Sequence, residues 1–207
     1  MIISEAARSK VMYGDSAERA EIDVDYALRK LNYKHYVVFG DLIIPSGMKN
    51  PSLTQIDHVV VSIYGIFCIE TKSNHGTIYG NSRSEHWKQY LGKQEYGMYS
   101  PYRQNHHHVT ALEKLLYTVL RAPIHSYIVF PNAKKVVVDG KAHDMSIEGA
   151  IDKINKHTYA RYDIATVEHI AKFLAYTASM RNELRGRHHD EVQSYVNKKM
   201  TDVLKIS

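Results

Sequence analysis

A single cysteine stands among the 207 residues. One thiol cannot close a disulfide within the chain, and a reducing compartment is the natural expectation. Cys68 lies inside an apolar run, so it reads as a small buried side chain rather than a nucleophile. No Gly-x-Ser-x-Gly occurs, which leaves a serine-hydrolase elbow without support. No apolar run approaches the length of a membrane span, and no hydrophobic signal region opens the chain. A cytoplasmic protein without membrane contact is expected. Internal repeats, low-complexity segments and interdomain linkers are also missing. Charge of one sign is not dominant: 27 basic against 22 acidic residues give +5, with thirteen histidines besides. That balance is compatible with a polyanionic partner but does not demand one.

What is present centres on a short hairpin. Residues Ile56 to Ile69 are dense in β-branched and aromatic side chains, with a turn at Ser62 to Gly65. Two strands are expected, about Gln55–Ser62 and Gly65–Lys72. Val59, Val60 and Val61 run without alternation, which suits a central strand covered on both faces. Charged groups in such strands must be paired or bind a cation. Asp57 and Glu70 fall at adjoining ends of the antiparallel pair. Glu70 and Lys72 are two apart and share a face. His58 points to the opposite face and reads as a packing or backbone-bonding residue. Two carboxylates can hold Mg²⁺ or Mn²⁺ with waters and a phosphate. An adjacent lysine can orient a water and offset charge on a phosphorane. On spacing alone, a metal-dependent phosphodiesterase site and a surface ion pair remain equal alternatives.

Helix periodicity predicts a first helix at about Ser16 to Asn32, carrying Val24, Leu28 and Leu31. A strand at Tyr36 to Ile44 precedes the hairpin. A short strand is expected before Gly80 and another around Trp87. Pro101 opens a helix to about Arg121, with Gln104 and His108 four apart on one face. A strand follows at Ile124 to Phe130, a short one at Lys135 to Val138, and helices at Ile147 to Asn155, Ile164 to Leu184 and Asp190 to Leu204. The order fits an α/β sandwich with a mixed sheet.

The stretch Gln55-Ile56-Asp57-His58 through Glu70-Thr71-Lys72 resembles the core of the nuclease-related domain, NERD, of the PD-(D/E)XK nuclease superfamily. The resemblance extends through Gly76 to Gly80, Trp87, and Ser100-Pro101-Tyr102-Arg103-Gln104-Asn105 with His108. Upstream, Glu21-Ile22-Asp23-Val24 resembles the family's opening helix, with Ala20 in place of its usual glycine. Ser100 replaces the usual asparagine before the proline. The resemblance implies a restriction-endonuclease-like α/β fold, a central mixed β-sheet flanked by helices, over residues 14–180. Residues 181–207 would form a C-terminal helical extension that packs on the domain or contacts a protein or a second copy. It further implies a metal ion, Mg²⁺ or Mn²⁺, at Asp57, Glu70 and the Thr71 carbonyl, with Lys72 at the attacking water. Glu21 and Gln104 would assist from flanking helices.

Other clusters read as ordinary structure. His106, His107 and His108 point three ways from one helix and cannot share an ion. Lys134, Lys135, Arg185, Arg187, Lys198 and Lys199 read as solvated surface. Tyr90, Tyr96, Tyr99 and Tyr102 are able to stack bases, but packing is the default. The expected function is a divalent-metal-dependent nuclease acting on nucleic acid, DNA ahead of RNA. The alternative is an inactive nucleic-acid-binding or protein-interaction module on the same fold.

Overall fold

The structure is a computed structural model that describes residues 16–32, 34–49, 51–117, 123–180, 183–191 and 194. Helix α1 (Ser16–Leu28) buries Ala20, Val24 and Leu28, a stripe at four-residue spacing. Strands β1 (Tyr36–Pro45), β2 (Leu53–Ser62) and β3 (Gly65–Thr71) form an antiparallel meander. Every residue of β3 is buried, as its unbroken apolar run requires. Strand β7 (Ile124–Val129) adds to β3 in parallel, giving the order β1-β2-β3-β7.

Helices cover this sheet on both faces. On one side α2 (Pro101–Leu116) and α4 (Ile164–Ser179) pack Leu112, Leu116, Ile170 and Leu174 over Val59, Val61, Ile66 and Cys68. On the other, α1 and α3 (Ile147–Asn155) meet Val60, Phe67 and Ile69. The expected restriction-endonuclease-like sandwich is therefore the observed one.

A second mixed sheet was not anticipated. It contains β4 (Gly76–Gly80), β5 (His86–Leu91), β6 (Gln94–Tyr99), β8 (Ala133–Val138) and β9 (Lys141–His143), in the order β6-β5-β4-β8-β9. Strand β6 is almost wholly exposed, so it lacks the apolar alternation that would announce a strand. Its identity comes from pairing with β5, Trp87 opposite Met98 and Gln89 opposite Tyr96. Trp87 anchors this sheet with Ile78, Phe130, Val136 and Val138.

Two helix ends differ from the sequence expectation. Helix α2 ends at Leu116, with residues 118–122 outside the described set, and α4 ends at Ser179. Residues 183–191 form a further helical stretch, α5. The helix expected over Asp190 to Leu204 lies mostly outside the described residues. Among the described residues, no helix is long and apolar enough to cross a membrane.

Candidate active site

Asp57, Glu70, Thr71, Lys72, Gln104 and Glu21, all singled out from sequence, line one cleft of about 710 Å³. The hairpin register explains the first four. The last β2–β3 pair is His58 with Ile69, so one step further sets Asp57 opposite Glu70. Asp57 Oδ2 accepts the Thr71 N–H at 2.7 Å, which clips the two strand ends together. Glu70 and Lys72 point toward α2, the same face as Cys68, as period-two alternation dictates.

A local irregularity lies under Asp57. The β1–β2 ladder pairs Gly40 with His58 and Leu42 with Ile56, but skips Asp41 and Asp57 between them. Asp41 takes a left-handed backbone conformation, φ 57°. Beyond this point the core-facing residues change from Phe39 and Val59 to Leu42 and Ile56, from odd to even positions. The strand pair therefore changes face at the two aspartates, with the register the same on either side.

Helix α2 supplies the opposite wall. Ser100 caps it, with Pro101 in its first turn. Gln104 Oε1 accepts from Lys72 Nζ at 2.8 Å. Four residues on, His108 Nδ1 lies 3.2 Å from Glu70 Oε2. Lys72 Nζ also pairs with Glu70 Oε1 at 2.6 Å. Asn105 locks the helix down. Its amide donates to the Cys68 carbonyl at 3.1 Å, Ser126 Oγ at 2.8 Å and the Tyr127 carbonyl at 3.1 Å. Its Oδ1 accepts from the Cys68 thiol at 3.2 Å.

The two carboxyl groups are driven apart electrostatically. Burial pushes the Asp57 carboxyl well above its usual range, and the charges of Glu70 and Glu21 push the same way. The Thr71 N–H and Lys72 oppose this without reversing it. Burial also pushes Glu70 up, but His108 and Lys72 outweigh it and hold that carboxyl low. One negative charge thus rests on Glu70 while Asp57 retains its proton more readily. Cys68 is pushed well up by burial and by both carboxylates, which keeps it a thiol.

The histidine run divides two to one, where three separate directions were expected. His107 and His108 line this cleft, whereas His106 lines a separate cavity. His58 sits on the far face, 3.8 Å from Asp25. Burial lowers its pKa to about 4, against the opposing pull of Asp25. Its folded pKa is depressed, so its contribution to stability is present above about pH 6.5 and lost as pH falls toward 4. A full titration corresponds to about 3 kcal/mol. Denaturant melts at pH 7, 5.5 and 4.5 should show this loss, and His58→Leu should flatten it. An unchanged pH profile in His58→Leu would refute the assignment.

Sequence reasoning missed three contributors. Asn105 was read as part of a motif without a role. Tyr99 and His188 both line the cleft, and neither has a spacing signal linking it to the hairpin. Tyr99 arrives on the unannounced strand β6. His188 arrives on α5, more than a hundred residues after Lys72.

The sequence profile of the nuclease-related domain matches residues 16–131. The chain belongs to that family. The matched region holds the entire hairpin, the α1 acid and the whole of α2, which carries Gln104 and His108. An uncharacterized protein of Bacillus anthracis is 28% identical over 165 residues, covering 78% of this chain and 76% of that protein. No solved structure matches the chain. Membership of this nuclease-related domain family, in the PD-(D/E)XK-like nuclease superfamily, carries a nuclease-related function with it. Among the described residues, no three or more His, Cys, Asp and Glu side chains gather as a metal cluster. The cleft is lined instead by the side chains of three acids, Glu21, Asp57 and Glu70.

Proposed function

We propose that this nuclease-related domain protein is a divalent-metal-dependent nuclease that hydrolyses phosphodiester bonds in DNA. The observation that carries the reading is the pairing of a buried carboxyl group, Glu70, with a half-buried one, Asp57, on one cleft, with an ammonium held beside them. Burial first, and then repulsion from Glu70 and Glu21, raises Asp57, and a bound cation would offset both. Glu70 Oε2 is buried and meets only His108 Nδ1, at 3.2 Å, so it retains a lone pair as a ligand atom. These groups fit Mg²⁺ or Mn²⁺, held by Asp57, Glu70 and the Thr71 carbonyl. The chemistry supplied there by a divalent cation is polarisation of the phosphoryl group and acidification of water.

The protein's own side chains account for the rest. An ammonium has three N–H donors. Lys72 directs one to Glu70 and one to Gln104, which aims the third toward the cleft. There it orients the attacking water and offsets charge on the phosphorane. Gln104 keeps Lys72 from turning away, and His108 fixes the far oxygen of Glu70. Glu21 adds a further acid from α1, near enough to raise Asp57. The net charge of +5 suits a polyanionic substrate.

The deciding experiment incubates the purified chain with linear and circular duplex DNA in Mg²⁺, Mn²⁺ or EDTA, with Asp57→Ala as control. Cleavage that needs the cation and Asp57 is expected, and loss of circular substrate would identify internal cutting. DNA retained in EDTA but never cut in either metal would instead establish a non-catalytic binding module.

A further inference from the structure

The α5 helix lies outside the region matched to the family, yet three of its residues meet the hairpin side of the cleft. Arg185, His188 and Glu191 are spaced by three, so they share one helix face. Arg185 pairs with Asp41, the residue across the skipped ladder position from Asp57. Glu191 accepts from the Ser52 N–H at 2.6 Å, the Ser52 hydroxyl at 2.6 Å and the Leu53 N–H at 3.3 Å. These two anchors straddle His188, one turn from each. His188 lines the same cleft as Asp57, Glu70 and Lys72.

We infer that α5 is a wall of the catalytic cleft and that His188 is a substrate-contacting residue, donating a hydrogen bond to a phosphate oxygen of the nucleic acid. The inference rests on the nuclease reading for its cleavage assay, but it is also tested by binding. The geometry favours this role over a purely structural one. Arg185 and Glu191 already fix the helix, and the imidazole between them lines the cleft where it also meets the Leu53 backbone. The loop from Ser46 to Leu53 shares the arrangement: Met48, Pro51 and Leu53 line the cleft, and Glu191 pins that loop from behind.

The test compares the full chain with His188→Ala, His188→Asn, Glu191→Ala and the His188→Ala/Glu191→Ala double variant. Cleavage kinetics and thermal midpoint are measured on each. Binding of a fluorescein-labelled 20-base-pair duplex is measured in a Lys72→Met background. His188→Ala should lower kcat/KM and duplex affinity by about 10- to 100-fold, the range for a lost hydrogen bond to a charged group. His188→Asn should recover most of that loss, since it keeps an N–H donor, and neither midpoint should move. The double variant should be no worse than His188→Ala alone, because Glu191 acts through His188.

Parent-like cleavage and binding by His188→Ala would overturn the inference. So would a loss matched by a falling midpoint that Asn does not restore, which marks a structural role. A parent that binds duplex without cutting it, with binding lost in His188→Ala, would sink the nuclease reading and leave the contact standing. A parent that neither cuts nor binds would overturn both.

Discussion

Lys72→Met yields a folded chain whose metal-dependent cleavage is about 10²- to 10³-fold slower, the range for removing one preorganised electrostatic donor. The side chain is held between Glu70 Oε1 and Gln104 Oε1, at 2.6 and 2.8 Å. Methionine preserves the length and the packing of the stem while removing all three N–H donors. It also deprives Glu70 of one of the two groups that hold its carboxyl low. Glu70 then keeps only His108, so the variant should melt earlier than the parent. Circular dichroism separates that from unfolding. Lys72→Arg should not restore the rate, because the planar guanidinium cannot place its donors as a compact ammonium does. Initial rates on linear duplex in Mn²⁺ measure the effect. Cleavage by folded Lys72→Met at the parent's rate would remove Lys72 from the mechanism and, with it, the reading of the site.

Asp57→Asn should produce opposite effects on activity and stability. Asparagine keeps an acceptor for the Thr71 N–H and nearly the same shape. It removes an ionisable carboxyl that faces Glu70 and Glu21 and is costly to charge there. In metal-free buffer the variant should therefore be more stable than the parent, on the order of 1 kcal/mol, or about 2–4 °C in midpoint for a chain of this size. The sign with pH follows from the raised carboxyl. A group whose folded pKa lies above its unfolded value supports folding fully below the unfolded value, and that support is lost as pH rises through the folded one. The metal-free parent should lose stability as pH climbs above the ordinary carboxylate range, and Asp57→Asn should not share that slope. Adding Mn²⁺ should reverse the ranking. At ten times its dissociation constant a ligand stabilises by about 1.4 kcal/mol, a gain open to the parent and closed to the variant. Thermal melts with and without Mn²⁺ test both halves. An Asp57→Asn protein that melts below the parent in EDTA would refute the repulsion. An equal Mn²⁺ shift in the two proteins would refute Asp57 as a ligand.

These two residues show how much of the site was legible beforehand. Their spacing around a two-strand hairpin is a local property, and side-chain alternation then fixes which groups share a face. Gln104 was legible through the family resemblance, with its four-residue spacing from His108 placing the two on one helix face. The upward push on the Asp57 carboxyl was not legible. It depends on burial from both faces and on Glu21 arriving from another helix, and neither can be read from residues near Asp57. The change of face at Asp41 and Asp57 was also hidden. Nothing in Phe-Gly-Asp-Leu announces a left-handed aspartate in a strand.

By itself, the sequence determined the elements whose stabilising contacts are local or strongly periodic. These are the hairpin, the α1 stripe, the proline-opened α2, the strand at Ile124, and the convergence of Asp57, Glu70 and Lys72. The family followed from the same residues. Tertiary structure alone decided the features that depend on distant segments. Strand β4 becomes part of a second sheet only by pairing with β8, more than fifty residues later. The exposed β6 becomes a strand only through β5. His188 reaches the cleft only because Arg185 and Glu191 find Asp41, Ser52 and Leu53, more than a hundred residues away. Hydrogen bonds and ion pairs between remote segments carry no periodicity, so they leave no mark in a single sequence until the chain has closed on itself.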